Sequence, residues 1–332
     1  MLNWTTLLSN HRIGQAATAE PSVRSDYQRD YDRLIFSAAF RRLKDKTQVF
    51  PLEKNDHART RLTHSLEVSC VGRSLGSSIG QTLLQKYPEL CQQNITPSDI
   101  GDIVAAASLA HDLGNPPFGH LGEQAMRDYF RHPDQQPLLK TLTTAQKKDL
   151  YNIEGNAQGF RICNRLESPD THGGLRLTAA TLASASKYPT SAYAQHQHYN
   201  KNGVYQDDLQ DFSEIFQAVG IPQKASQRWS RHPLSYLTEA ADDICYLIVD
   251  LEDAYQIGQI PYQDAHDHLA TLADTLIDPK RLNELNSKSD RLSYLRAKAI
   301  GRLVHEVIDA FWDNESALLN TTNPRPPATT NP

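Results

Sequence analysis

A His-Asp dipeptide at 111–112 stands where an apolar helical run meets Gly114-Asn115-Pro116-Pro117. A break of that kind lets an imidazole and the neighbouring carboxylate converge on one point and opens the backbone to a ligand. Thirteen histidines in 332 residues leave room for coincidence, and a second pair, His266-Asp267, lies in a polar helical run that reads as solvated surface. A divalent cation needs fixed donors: neutral imidazoles suit transition metals and carboxylates suit harder ions, so two His with two Asp would serve Mn, Fe, Zn or Mg. His64, taken singly, reads as a core or surface histidine. Asp242, Tyr246 and Asp250 follow at four-residue steps and share one helical face, but that face lies roughly opposite the apolar stripe, which favours a solvent-facing reading.

Helices must position these groups. Apolar residues recur at three and four spacing along most of the chain, and alternating strand-like runs are scarce, so the fold class is all-α, a helical bundle. One helix is expected over about Leu62 to Leu84, with Leu62, Leu66, Val68, Val71, Leu75, Ile79 and Leu83 on its buried stripe. A second begins at a Thr96 cap, with Pro97 in the first helical position and Asp99 placed to complete a capping box, and it stops at the Gly-Asn-Pro-Pro break. A third spans Leu234 to Tyr255 with the most regular spacing in the chain. Polar, Tyr- and Gln-containing sequence over about 186–230 reads as an irregular insertion, either a lid over a pocket or a surface excursion. Residues 320–332 are Asn, Thr, Pro and Ala with one Arg, too polar to pack a core, and read as a disordered tail.

Apolar residues make up 39% and charged residues 22%, ordinary globular usage that argues against a fibrous or disordered protein. The formal charge of −5 gives no global attraction for nucleic acid or anionic lipid, so any phosphate site must be built locally. Cys70, Cys91, Cys163 and Cys245 are widely spread without a C-x-x-C pair, which fits a reduced, cytoplasmic setting and argues against cysteine-held zinc. The most apolar stretch, Ile103 to Ala110, is too short to span a bilayer.

The run Arg61-Leu-Thr-His64-Ser-Leu-Glu67, followed by His111-Asp112-Leu-Gly-Asn-Pro-Pro-Phe-Gly-His120-Leu-Gly-Glu123, resembles the bacterial deoxyguanosinetriphosphate triphosphohydrolases of the HD superfamily. Supporting stretches are Arg41-Arg42 through Gln48, Glu154-Gly-Asn156-Ala-Gln158, Lys187-Tyr188 and Glu239-Ala-Ala-Asp242-Asp243-Ile-Cys-Tyr246, in the expected order over almost the whole chain. The resemblance implies an HD domain over 1–319, its metal-binding core about 59–260, in which His64, His111, Asp112 and Asp242 hold one divalent ion, Mg2+ or Mn2+. It implies His120 as the acid/base group with Glu123 orienting it; the plainer alternative is a hydrogen-bonded pair at a helix start. Gln48 and Asp250 resemble the contacts to a deoxyribose 3′-hydroxyl, with Tyr246 beneath the sugar crowding a 2′-hydroxyl. Arg61 and Lys187 resemble phosphate-binding cations, where ordinary surface charge is the alternative.

The activity implied is hydrolysis of a deoxynucleoside triphosphate, dGTP foremost, by water at the α-phosphorus, releasing deoxynucleoside and tripolyphosphate. Two alternatives remain at this point: an HD phosphohydrolase for another nucleotide phosphoester, and an inactive regulatory or single-stranded nucleic-acid-binding subunit. The resemblance also implies a homo-oligomer. Family members continue past the point matching 313–319, and this chain turns there into its Asn-Thr-Pro tail. That difference leaves nucleotide closure and assembly open. Related mammalian enzymes carry a further histidine where this chain has Asn115, which is therefore given no proton-transfer role and reads as a turn residue.

Overall fold

The computed structural model describes residues 1–15, 23–48, 59–194 and 201–320. The helices that build the site and its support are α1 (Asp26–Phe36), α2 (Arg61–Lys86), α3 (Pro97–Ala110), α4 (Gly119–Arg131), α5 (Gly155–Arg161), α6 (Ala179–Ala185), α7 (Leu209–Ala218), α8 (Pro233–Gln256), α9 (Tyr262–Ala273) and α10 (Lys288–Leu319). Among the described residues the only sheet is a two-stranded antiparallel ribbon, Gln223–Ala225 with Arg228–Trp229. The architecture is all-α, as the periodicity predicts.

α3 is the central helix. From Asp99 to Ala110 every residue except Asp102 is buried, and α1, α2, α6 and α8 all pack on it. Its start is the expected capping box: Thr96 Oγ accepts from the Asp99 amide at 3.3 Å, and Asp99 Oδ2 accepts from the Thr96 amide at 2.8 Å. α2 has a capping box too, from Thr60 and Thr63, that spacing alone does not announce. Both α2 and α8 begin and end within about two residues of the expected limits.

Antiparallel packing of α2 on α3 is unusually close. A Cβ added to Gly76 would lie 2.7 Å from the Ile100 carbonyl oxygen, and one added to Gly72 would lie 2.6 Å from Ser108 Oγ. Small residues one turn apart on α2 thus let the two backbones approach, and Ser69 Oγ donates across the seam to the Ala105 carbonyl at 3.0 Å. The consequence is positional: the first turn of α2, which carries His64, is held beside the last turn of α3, which leads into His111.

The apolar interior has two parts. The larger surrounds α3 and takes in Trp4, Leu34, Phe160, Phe212, Phe216, Trp229 and Leu234. The second lies between α2, α8, α9 and α10, with Val71, Leu75, Ile244, Ile248, Leu269 and Leu295 at its centre. α8 contributes to both, so its register fixes Asp242 relative to α2. α10 returns to the first core through Phe311, Leu318 and Leu319, and Trp4 Nε1 donates to the buried Glu315 at 3.3 Å.

The 186–230 segment is more regular than its composition implies. Within it α7 buries Phe212, Ile215 and Phe216, and Phe212 meets Phe216 and Trp229 at ring-centroid distances of 4.6 and 5.2 Å. Its apolar positions keep three and four spacing, but Gln, Asp, Ser and Glu between them dilute the pattern. Residues 195–200 of that segment, and 321–332 of the expected tail, lie outside the described residues. No described helix is long and apolar enough to cross a membrane.

Candidate metal centre

His64, His111 and Asp112 meet at one point: a ligand atom from each lies within 4.8 Å of the others. Donors at roughly 2.0–2.6 Å from an ion stand about 4–5 Å apart across it, so this spread suits a single cation. His64 is 1% exposed and Asp112 4%, and the two imidazoles meet edge to face at 5.4 Å. From α8, Asp242 Oδ1 comes within 3.1 Å of His64 Nε2 and 3.6 Å of His111 Nε2. It reaches both histidines and stands beside the cluster, where the resemblance expects a fourth donor.

The surroundings prepare these donors. His111 Nδ1 is 2.6 Å from the Ser108 carbonyl, an acceptor only, so Nδ1 carries the proton and Nε2 keeps its lone pair toward the cluster. Asp112 Oδ2 accepts from Arg61 at 2.7 Å and Oδ1 accepts from the Asn115 side-chain amide. Lys46 Nζ, 2.6 Å from the Asn115 carbonyl, fixes that turn from behind. Asn115 is therefore both the turn residue expected and a support for Asp112.

Electrostatics point the same way. Burial acts to raise the Asp242 carboxyl, but His111 and His64 outweigh it and hold the group well below the usual carboxylate range. Burial acts to depress His64, yet its hydrogen bond to Asp242 and the charge of Asp112 leave it raised. A proton shared between His64 Nε2 and Asp242 thus occupies a position that a cation would take over. The donor set fits a divalent metal ion.

A cavity of about 320 Å³ opens beside the cluster. Of the eleven site residues expected, Gln48, Arg61, His111, Asp112, His120, Lys187, Asp242 and Tyr246 line it. His64 and Glu123 stand behind that lining as buried supports, 1% exposed each. Asp250 is not in the lining either. Two turns beyond Asp242 on α8, roughly 12 Å along the axis, it is half-buried, and burial pushes its carboxyl up to about 6. Along the face shared by Asp242, Tyr246 and Asp250 the two carboxylates are half-buried and Tyr246 is 56% exposed. Asp242 and Tyr246 border the cleft.

His120 and Glu123 sit on the first turns of α4. Phe118 in the left-handed region (φ 65°) and Gly119 (φ 52°) turn the chain out of the Asn-Pro-Pro segment. His120 Nδ1 lies 3.1 Å from Glu123 Oε2. The carboxylate is 1% exposed and the imidazole side chain 82%, so a buried anion holds one nitrogen and the ring projects into solvent at the mouth of the cavity.

Lys187 faces Glu239 at 3.0 Å, and Arg231 binds the other oxygen of that carboxylate at 2.6 Å. Burial acts to lower the Lys187 ammonium, but Glu239 more than offsets it and keeps the group charged. Gln48 Oε1 is buried without a hydrogen-bond partner among the described residues.

Residues given no chemical part in the sequence reading also stand at or behind the site: Asn115, Glu239, Arg231, and a group made of Glu154, Lys201 and Arg127. Asn115 falls three residues after Asp112, a spacing that could have drawn attention to it. Glu154 and Lys201 come from separate segments, and no local pattern joins them.

Comparison with known proteins agrees with this geometry. The model of the HD domain matches residues 61–152, which include His64, His111, Asp112, His120 and Glu123. A "deoxyguanosinetriphosphate triphosphohydrolase-like protein" of Pseudomonas aeruginosa is 46% identical over 324 residues, covering 96% of this chain and 72% of that protein. Proteins of the same description from Synechocystis sp. and Listeria monocytogenes are 45% and 36% identical, with 96% and 97% of this chain and 74% and 73% of theirs covered. With His64, His111 and Asp112 gathered at one point, Asp242 beside the two histidines, and relatives this similar over nearly its full length, the chain is a metal-dependent phosphohydrolase that belongs to the deoxyguanosinetriphosphate triphosphohydrolase-like family of HD-domain proteins.

Proposed function

We propose that the chain hydrolyses deoxynucleoside triphosphates, dGTP foremost, at the α-phosphate, releasing deoxynucleoside and tripolyphosphate. The observation that carries this reading is one cavity in which the His-Asp cluster, the cations Arg61 and Lys187, the His120 ring and Tyr246 face a common space. His64, His111, Asp112 and Asp242 would hold one divalent ion, Mg2+ or Mn2+. When bound, that ion supplies Lewis-acid polarisation of phosphate oxygens and lowers the pKa of coordinated water.

The chain's own groups do the rest. Arg61 and Lys187 balance the charge of the phosphates, and Glu239 keeps the Lys187 ammonium in place while leaving it protons to donate. His120, its Nδ1 held by Glu123, offers Nε2 at the cavity for proton transfer to or from a reacting oxygen. Gln48, with an unused buried acceptor, would receive a sugar hydroxyl, and Asp250 would do so after moving toward the cleft. Tyr246 presents its ring where a ribose 2′-hydroxyl would be crowded.

The relatives' shared description names deoxyguanosine triphosphate, which is why dGTP is placed first. The test is incubation of the purified chain with each of the four dNTPs and Mn2+ or Mg2+, with chromatographic identification of products. Deoxynucleoside and tripolyphosphate, most rapidly from dGTP, are expected. Release of pyrophosphate or of inorganic phosphate would overturn the assigned bond.

A further inference from the structure

The acid/base pair at the mouth of the cavity rests on a second carboxylate that the proposed reaction does not use. Glu123 and Glu154 are each 1% exposed, and one guanidinium spans them. Arg127 Nη2 lies 3.2 Å from Glu123 Oε2 and 3.2 Å from Glu154 Oε2, and its Nε donates to the Ile153 carbonyl at 2.7 Å. The other cation present is Lys201, 3.1 Å from Glu154 and 3.8 Å from Glu123. Two buried anions thus face two cations, and a buried charge left without its partner is strongly disfavoured.

The two cations differ in what they can touch. Lys201 lines the cavity, whereas Arg127 does not. The remaining contacts of Glu123 are specific: Oε1 accepts from the Gly155 amide at 2.7 Å, and Oε2 faces His120 Nδ1 at 3.1 Å. Because a carboxylate only accepts, that last contact requires the proton on Nδ1 and leaves the Nε2 lone pair facing outward. The orientation of the exposed ring therefore depends on where Oε2 is held.

We propose that Arg127 is a positioning residue for the acid/base group: by bridging Glu123 to Glu154 it fixes Glu123 Oε2, and through it the Nδ1-protonated tautomer and direction of His120. Without the guanidinium the two carboxylates repel, Lys201 is drawn between them, and Oε2 leaves the line to Nδ1. The inference rests on the proposed proton-transfer role of His120, and its test separates the two.

Arg127→Gln and Arg127→Lys are made in the full chain and assayed for Mn2+-dependent dGTP hydrolysis, alone and combined with His120→Ala, and 15N spectra of the His120 ring report its tautomer. A positioned general acid/base contributes roughly 10²–10⁴ in rate, so Arg127→Gln is expected to lower kcat about tenfold or more with KM within about twofold. Arg127→Lys, which keeps the charge but not the planar fork that spans both carboxylates, should recover only part of the rate. In the His120→Ala background the Gln substitution should add less than about threefold. The 15N shifts should show one Nδ1-protonated form in the unaltered chain and a mixture in Arg127→Gln.

An equal loss of kcat with and without His120, or an unaltered chain whose His120 carries its neutral proton on Nε2, overturns the proposal. So does an Arg127→Gln variant at full rate. If the unaltered chain hydrolyses no dNTP, the functional reading fails, and the tautomer spectra still decide the positioning role. Should Arg127→Gln fail to fold, Arg127→Lys with the spectra decides.

Discussion

Replacing Gly76 by Ala tests whether helix approach is what assembles the metal site. An Ala Cβ there would lie 2.7 Å from the Ile100 carbonyl oxygen and 2.9 Å from Gly101 Cα, against 3.4 Å for an ordinary contact, a shortfall of about 0.7 Å against rigid backbone. α2 and α3 must separate locally or bend, and overpacking of this kind costs about 1–3 kcal/mol. For a chain above 300 residues that corresponds to a fall in Tm of roughly 2–6 °C. His64 and His111 lie at the far end of the same helix pair, and ligand geometry tolerates only about 0.5 Å of displacement. Metal affinity should therefore fall about tenfold or more. Gly301→Ala on α10 is the matched control, since no atom lies within 4 Å of its added Cβ; relief of glycine's backbone entropy should leave it neutral or more stable by about 0.5–1 kcal/mol. Thermal melts of both variants, with and without Mn2+, check this. A Gly76→Ala variant that melts with Gly301→Ala and binds metal like the unaltered chain would refute the reasoning.

Metal binding itself should be visible in stability: at about 100 times its Kd, Mn2+ adds roughly 2.7 kcal/mol, a shift lost in Asp242→Ala and His64→Ala and larger at pH 8 than at pH 6 because the His64–Asp242 proton must leave. A calorimetric scan that shows no Mn2+-dependent shift in the unaltered chain would count against the site. Asp149 gives a pH prediction of opposite sense from the usual carboxylate: burial pushes it up to about 6, above its unfolded value near 4. The folded chain holds the extra proton in that window, so this group favours folding below about pH 4 and that contribution is lost as pH rises through 6. Asp149→Asn should remove this step from Tm measured between pH 4 and pH 7, and an unchanged curve would refute it. Tyr246→Ala should reduce the preference for dGTP over GTP in kcat/KM by about tenfold or more, the loss of roughly 1.4 kcal/mol of discrimination; unchanged discrimination would remove Tyr246 from the sugar-reading role.

How much of this was legible in the sequence follows from the range of the forces involved. Helix limits were readable because caps and apolar stripes are local: Thr96, Pro97 and Asp99 announce α3, and the spacing from Leu234 to Tyr255 announces α8. α7 was obscured because its Phe212, Ile215 and Phe216 are separated by polar residues whose solvent exposure only the packed structure explains. The His111-Asp112 pair was readable for the same reason as the caps, since a helix end and a Pro-Pro turn lie in one short stretch. His64 and Asp242 were not, because what brings them together is the fit of Gly72 and Gly76 against α3 and the burial of α8 between two cores. Periodicity read the Asp242 face as solvent-facing, and the structure makes part of it, at Asp242 and Tyr246, the wall of a cleft. A one-dimensional pattern distinguishes apolar from polar faces but cannot tell a polar face toward bulk water from one toward a ligand.

The same limit explains the charged residues that sequence spacing passed over. Glu154, Arg127 and Lys201, which gather at the expected Glu123, come from three stretches of chain, and each taken alone is an ordinary surface charge. Their burial changes the physics. A carboxylate at 1% exposure needs a partner, and two of them set side by side need partners whose number and position are fixed by the fold. The proposed acid/base chemistry of the exposed His120 ring then depends also on the network behind it, which holds Glu123 against Nδ1. Substitutions in that network should alter rate without altering metal binding, whereas those along the α2–α3 seam should alter both. This difference separates the two layers of the site by experiment.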